Sequence, residues 1–323
     1  MSPAESAPAL ALNIYCWGKA AQNELLTGFV APEIRALREA GRVRRFWSTR
    51  FDSRGPHVML VLTTPGSTRE LEAHLGERLD AWLAEHPSTE TLSPGELATR
   101  HEECRGKELC APDHEPGIAP NNSYRFAPHS PHAYPFGGSP GADEFWELAS
   151  EHGLWLMDRL REGAGTGLAV RWIADVDGAL LRLGADAAAS WRYHATTLLR
   201  PLAERLRTEE PAVLAALPGS VGERNREAFA RVWDGARGAA PAWGPTARLV
   251  ELALRADAGG FQLLREINHC ALKTLDQPVL LHVPLVLYAW QRNLLPPGGL
   301  PAAGAPESGA PSTSTTTGRA TAW

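Results

Sequence analysis

The hydrophobic pattern of this 323-residue chain changes along its length. In roughly the first 90 residues, stretches of alternating apolar residues are interleaved with stretches in which apolar residues recur every three or four positions. After roughly residue 140 only the longer spacing remains. Alternation predicts strands and the longer spacing predicts helices. The order therefore predicts an α+β fold, in which a sheet with a β-hairpin packs against a predominantly helical layer.

The first part predicts a sheet layer with helices on one face. Its hairpin is joined by Asp52–Pro56, whose residue types form tight turns, and Ser67 and Glu70 are spaced like a capping box. The expected elements are a strand over Leu10–Trp17, a helix over Glu24–Ala40, strands over Arg42–Phe51 and His57–Thr64, and a helix over Ser67–Glu85.

The stretch Pro87–Gly141 is rich in Pro, Gly, His and Asn and predicts a long functional loop. The helical segments expected after it are Asp143–Arg161, Ala174–Leu206, Ser220–Gly235, Pro245–Ala256 and Gly260–Asp276, followed by the apolar segment Pro278–Leu295. We expect a flexible N-terminus over 1–9, a single catalytic domain over 10–296 and a disordered tail over 297–323, because the tail has almost no large apolar residue.

Charge and cysteine content exclude several classes of protein. The formal net charge of -5 repels phosphate backbones, so we expect no nucleic-acid partner. Four scattered cysteines do not make a disulfide framework. The N-terminus lacks a basic region like that of a signal peptide, and the apolar run Pro278–Trp290 is shorter than the roughly 20 residues that span a bilayer. These features predict a cytoplasmic protein without a membrane partner.

The sequence gives little sign of a metal or cofactor. His101, Cys104, Cys110 and His114 have residue types that suit zinc, but their spacing matches no common zinc motif. No Gly-rich phosphate loop, nucleophile elbow or His-Glu-x-x-His motif is present. We therefore expect no bound metal and no cofactor.

Basic residues concentrate on the predicted hairpin, at Arg42, Arg44, Arg45, Arg50 and Arg54. Such a cluster can hold carboxylates through charge-assisted hydrogen bonds. A solvated strand face is an equally good interpretation.

Three motifs occur in the order found in one family of peptide-modifying enzymes. Phe46–Phe51 has an aromatic pair and Arg50, and Gly55-Pro56-His57 ends the turn; Tyr134–Gly138 and Tyr288–Asn293 follow. This order resembles the thiopeptide-type bacteriocin biosynthesis domain, which is similar to the C-terminal glutamate-elimination domain of lantibiotic dehydratases. The resemblance covers roughly 10–296 and implies the fold of that elimination domain.

The differences from eliminating members are informative. Met59, Val61, Pro135 and Leu287 stand where those members carry arginines and a histidine, and Arg50 remains. Removing a glutamate ester needs a base and cations for the departing carboxylate. The chain thus resembles the stand-alone pyridine synthases, which join two dehydroalanines of a precursor peptide by a formal 4+2 aza-cycloaddition and release water and the leader peptide.

That chemistry sets requirements for side chains. Shifting a backbone amide to its iminol form needs a donor to the oxygen and an acceptor for the N–H proton, and expelling water and the leader amide needs an acid and a base. A pocket that holds two distant dehydroalanines together can lower the activation barrier of the cycloaddition by several kcal/mol.

Candidates for these roles are drawn from three segments. The proposed catalytic residues are His194, Tyr288, Glu102 and Glu103; the proposed substrate-binding residues are Arg50, Tyr193, Trp191, His282, Trp290 and Gln291; and Arg42, Arg44 and Arg45 are proposed to bind the leader peptide. Each has a structural alternative: a core histidine for His194, core packing for Tyr288 and Trp290, and a surface pair for the two glutamates.

The expected partner is a modified precursor peptide made of leader and core, with other enzymes of the same pathway as further partners. Two alternatives remain. One is a glutamate-eliminating lyase that completes serine dehydration after a partner has used glutamyl-tRNA. The other is a non-catalytic module that binds the precursor peptide.

Overall fold

The structure is a computed structural model, and it describes residues 9–52, 54–104, 117–129, 142–163, 165–198, 206–210, 212–213, 221, 223–236, 239–255, 260–275 and 279–294. The proposed N-terminal segment, apart from residue 9, and the proposed C-terminal tail lie outside these ranges. In the described parts of the chain, no helix is long and apolar enough to cross a bilayer.

The described strands form a four-stranded antiparallel sheet. They are β1 (Ala9–Tyr15), β2 (Arg45–Phe51), β3 (His57–Thr63) and β4 (Ser123–His129), and their order in the sheet is β2-β3-β1-β4. The first three confirm the predicted strand and hairpin. The fourth lies within the stretch predicted to be a loop, so that prediction is wrong there.

The described helices account for most of the fold and confirm the predicted class. They are α1 (Lys19–Glu24), continued through the π-helical turns Leu25–Val30 into α2 (Ala31–Glu39), then α3 (Thr68–Glu85), α4 (Pro94–Cys104), α5 (Ala142–Arg161), α6 (Thr166–Arg182), α7 (Ala187–Leu198), α8 (Glu223–Ala236), α9 (Thr246–Arg255), α10 (Gly260–Thr274) and α11 (Val279–Leu294).

Three local predictions are corrected by the structure. A single helix over Ala174–Leu206 is wrong, because Gly184 adopts φ 67° and ends α6 as a left-handed residue. The loop predicted over Pro87–Gly141 contains α4 as well as β4. Ser67 makes no side-chain capping bond at α3, whereas Ser93 and Glu96 form the reciprocal pair at the start of α4.

The sheet lies between two hydrophobic cores because its side chains alternate between faces. Leu10, Leu12 and Ile14 of β1 pack with the helices α1–α3. Ala11 of β1 and Met59 of β3 belong to the core that contains most of α5–α11. The N-terminal helices thus cover one face as predicted, and the helical layer covers the other.

Helix α5 covers the outer edge of β2. The Phe46 N–H donates to Ser150 Oγ at 2.9 Å, and that hydroxyl contacts the Phe46 carbonyl at 2.9 Å. A Cβ on Gly153 would stand 3.1 Å from the Phe46 ring, so a glycine permits this close approach. Since an open strand edge can pair with other chains, the helix protects this edge.

The Gly-Pro-His motif closes the hairpin turn. Gly55 adopts φ 110°, and His57 Nδ1 lies 2.9 Å from the Gly55 carbonyl oxygen. The His57 ring also packs 4.9 Å from the ring of Tyr15 and 5.7 Å from that of Phe51. The motif that carries the family resemblance therefore has an architectural role in this chain.

We expect Gly28→Ala to destabilise the protein by about 1–3 kcal/mol, since overpacking a core costs this much. An added Cβ would stand 2.6 Å from Trp82 Cη2, in the π-helical segment between α1 and α2. Gly95→Ala in α4 is the control, because nothing lies within 4 Å of its Cβ position. Denaturant unfolding of both variants measures the difference, and equal shifts in midpoint would contradict this packing.

Candidate functional site

Arg50 joins β2 to two helices. Its Nη2 donates to Asn23 Oδ1 at 2.6 Å and to the carbonyl of Thr274, the last residue of α10, at 3.0 Å. Its Nη1 lies 3.5 Å from Gln22 Oε1. A cation is favoured at the carboxyl end of a helix, so Arg50 stabilises the end of α10. Its proposed contact with substrate stays a prediction.

Helix α10 carries a basic face next to Arg50. Arg265, His269 and Lys273 recur at every fourth position and so share one side of the helix. Lys273 Nζ donates to the Arg50 carbonyl at 2.6 Å and lies 4.6 Å from the centre of the Phe51 ring. The basic face thus extends from the hairpin into the helical layer.

His194 of α7 is the most unusual of the predicted residues. It is 2% exposed, and neither ring nitrogen has a hydrogen-bond partner among the described residues. Burial lowers the pKa of His194 to about 3, with smaller contributions from Arg265 and His282. The imidazole is therefore neutral near pH 7, and its ring lies parallel to that of Trp191 at 6.0 Å.

Two helices, α10 and α11, bring further basic groups to His194. His282 of α11 is fully buried, and its ring meets that of His269 at 5.7 Å and 88°. Arg265 of α10 is buried as well, and it acts electrostatically on both His194 and His269. We call His194, Arg265, His269 and His282 the basic cluster. Within the described ranges, no group of three or more His, Cys, Asp or Glu residues could hold a metal ion.

A second buried polar centre surrounds Asp177 of α6. Its Oδ1 accepts from Trp191 Nε1 and Asn293 Nδ2, both at 2.7 Å, and its Oδ2 accepts from Trp233 Nε1 at 3.2 Å. Burial raises the pKa of Asp177, although these donated bonds and the nearby Arg292 oppose the shift. Because Trp191 bonds to Asp177 and stacks near His194, it connects this centre with the basic cluster.

Tyr288 of α11 lies beside the second centre. It is fully buried, its ring is 5.2 Å from that of Trp233, and Arg292 Nη1 donates to its oxygen at 3.5 Å. Trp290 is a core residue, and the buried Gln291 Oε1 has no partner in the described part of the chain. The structure therefore brings His194, His282 and Trp191 together. Tyr288 lies beside Trp233, which bonds to Asp177 as Trp191 does.

The remaining predicted residues lie elsewhere. Tyr193 is on the exposed side of α7. Glu147 Oε1 of α5 lies 3.2 Å from Arg45 Nε and 3.6 Å from Arg44 Nε. A carboxylate of the protein itself therefore contacts two of the three arginines proposed to bind the leader. Arg44 is exposed and Arg42 half-buried.

The side chains of Glu102 and Glu103, like those of the zinc candidates His101, Cys104, Cys110 and His114, lie outside the description.

A small apolar cavity of about 20 Å³ lies on the opposite side of α10 from its basic face. It is bounded by Trp47 and Ser48 of β2, by α5 and by Ile267 and Ala271 of α10. His152 of α5 lines it and stacks on Trp172 at a ring distance of 4.1 Å. The packing of α5 and α10 against β2 thus encloses a buried histidine outside the basic cluster.

The buried histidines His152 and His194 predict acid sensitivity. Burial lowers the pKa of His152 to about 3, and an imidazole in an unfolded chain titrates near 6.5. The unfolded chain therefore binds protons that the folded chain does not, and stability present above about pH 6.5 is lost as the pH falls towards 3. We expect His152→Leu to reduce this slope by up to about 1.4 kcal/mol per pH unit. Unfolding free energies at pH 7, 5 and 4 measure it, and parallel profiles would contradict the expectation.

Sequence reasoning missed Asp177, Arg265 and His269. The spacing of Arg265, His269 and Lys273 is the one signal that could have revealed the basic face of α10. Asp177 gives no local signal, because its partners come from three other helices.

Two solved structures are similar to this chain. The pyridine synthase TbtD from thiomuracin biosynthesis superposes with a TM-score of 0.60 and 17% identity, over 88% of this chain and 97% of that one. The tRNA-dependent lantibiotic dehydratase MibB from Microbispora sp. 107891 gives a TM-score of 0.49 and 18% identity, over 91% of this chain and 28% of that one. The superposition with TbtD shows that the two chains share a fold.

The sequence itself matches the family described as lantibiotic biosynthesis dehydratase, C-terminal, over residues 10–275. The chain therefore belongs to that family, and the predicted resemblance is confirmed. This membership indicates a role in lantibiotic-type biosynthesis. A sequence search of curated proteins found no match.

Proposed function

We propose that this protein is a thiopeptide macrocyclase, a pyridine synthase that acts on a modified precursor peptide. It would join two dehydroalanines by a formal 4+2 aza-cycloaddition and release water and the leader peptide. Family membership and the superposition over nearly the whole length of a free-standing pyridine synthase support the proposal.

The neutral, buried imidazole of His194 is the observation that carries this proposal. A neutral imidazole offers one N–H donor and one acceptor nitrogen, and neither nitrogen of His194 has a partner among the described residues. Forming an iminol requires a proton given to the amide oxygen and another taken from the amide nitrogen. One imidazole presents both functions without a net change in charge, which suits a buried site.

The surroundings of His194 suit the same chemistry. Arg265 adds a positive charge that would stabilise an oxygen gaining negative charge, and such preorganised charges act strongly in a water-poor site. We propose His282 as a second base and Tyr288 as a further donor, since the phenol oxygen already accepts from Arg292. Trp191, Trp290 and Gln291 would line the site, and Arg50 and Tyr193 are proposed to contact substrate.

The substrate's other parts have separate proposed contacts. Arg42, Arg44 and Arg45 would bind carboxylates of the leader, with Arg44 the exposed member. Glu102 and Glu103 are retained as proposed proton acceptors. None of these roles requires a cofactor.

A glutamate-eliminating lyase is the second candidate, and Lys273 favours it. That reaction needs cations for the departing carboxylate, and Lys273 supplies one next to Arg50 through its 2.6 Å bond to the Arg50 carbonyl. The cation found there is a lysine, whereas this alternative predicts arginines near Arg50.

The masses of the products test the proposed cyclase activity. The protein is incubated with a precursor that carries its leader, azoles and dehydroalanines. A cyclase yields a core peptide lighter by one water and the leader amide. An unchanged mass despite measurable binding would contradict the proposal.

A further inference from the structure

His269 is the half-buried member of the basic cluster, and the other three members, His194, Arg265 and His282, are buried. Its Nδ1 is nevertheless buried and has no hydrogen-bond partner in the described structure. The ring centres of His269 and His282 are 5.7 Å apart, a spacing that ring nitrogens or one bridging water can span.

The proposed chemistry needs such a connection. In the iminol step, His194 gives a proton from one ring nitrogen and takes a proton on the other, so the ring ends the step as its other neutral tautomer. A buried imidazolium is costly, and burial holds the pKa of His194 at about 3. To return to its first tautomer without becoming charged, the ring must release the proton from one nitrogen and regain a proton on the other before the next turnover.

The charges around His269 favour transfer over storage of a proton. Burial lowers the pKa of His269 well below its ordinary value, and Lys273, His282, Arg265 and His194 lower it further. These groups come from α10 itself, α11 and α7. A proton that reaches His269 is thus released readily to solvent.

We propose that His269 is the solvent-facing member of a proton relay that serves the buried imidazoles of His282 and His194. The proton leaves the substrate on a buried imidazole, passes to His269 and then to water, and the return path reprotonates the acid. No oxidant, reductant or further reactant is needed. This inference rests on the proposed cyclase function.

Chemical rescue tests the relay. We expect His269→Ala to lower kcat on the dehydrated precursor by roughly 100-fold and added imidazole to restore much of it, since this position is partly exposed. His194→Ala is the matched comparison, and imidazole should not restore it, because that site is 2% exposed. Parent-like turnover by His269→Ala, or a loss that imidazole leaves unchanged, would overturn the relay. Failure of the parent protein to cyclise the precursor would instead overturn the proposed cyclase function, on which the relay rests.

A second variant keeps the test valid if His269→Ala folds poorly. Lys273→Met removes a positive charge that lowers the pKa of His269. If protonation of His269 blocks the relay, the pH at which kcat falls on the acid side should rise. An acid limb at the same pH as the parent's would contradict the relay.

Discussion

His194→Leu is expected to lower the rate of cyclisation at least about 100-fold, the usual contribution of a general acid or base. The same variant should be as stable as the parent at neutral pH, or more stable. Burying a polar group without a hydrogen bond costs about 1–3 kcal/mol, and neither nitrogen of His194 is bonded within the described structure. Leucine fills a similar volume without that cost. Turnover of the dehydrated precursor and denaturant unfolding measure the two effects.

His152→Leu is the matched control for this experiment. Both histidines are 2% exposed and burial lowers the pKa of each to about 3, but His152 lies in the small cavity beyond α10. The control should turn over like the parent. If both leucine variants retain activity, His194 has only a structural role; if both lose it, the loss reflects packing.

Asp177→Ala is expected to destabilise the protein by about 3–5 kcal/mol, since each buried donor that loses its acceptor costs about 1–3 kcal/mol. The variant leaves the N–H donors of Trp191, Trp233 and Asn293 without their acceptor. Asp177→Asn should cost less, because its amide oxygen can still accept from Trp191 and Asn293. Denaturant unfolding measures both, and a loss below about 1 kcal/mol for alanine would show that this centre does not join the helices.

The elements with strong local patterns were predictable from sequence. The hairpin and the helices α3, α5, α9 and α10 begin and end within a few residues of their predicted bounds. Strand β4 was missed because Tyr124 and Phe126 contribute to the sheet only through pairing with β1, more than 100 residues earlier. The break at Gly184 was missed because apolar residues continue at helical spacing on both sides of it.

The site was predictable only in part. His194 and His282 were chosen as isolated side chains, and the packing of α7, α10 and α11 brings them near each other. Residues such as Arg265 and Asp177 acquire meaning only from partners on other helices, so their spacing in the chain carries little information. His194 also violates the rule that buried polar groups are hydrogen-bonded within the described structure. Violations of this kind are expected at functional sites.

Offering two substrates together tests the central claim most directly. One peptide is glutamylated on serine, and the other carries the dehydroalanines and the leader, at equal concentration in the same tube. Mass spectrometry should show the dehydrated peptide converted to a core lighter by water and the leader amide, while the glutamylated peptide keeps its mass. Loss of glutamate from the first peptide, with the second unchanged, would contradict the cyclase and establish the lyase.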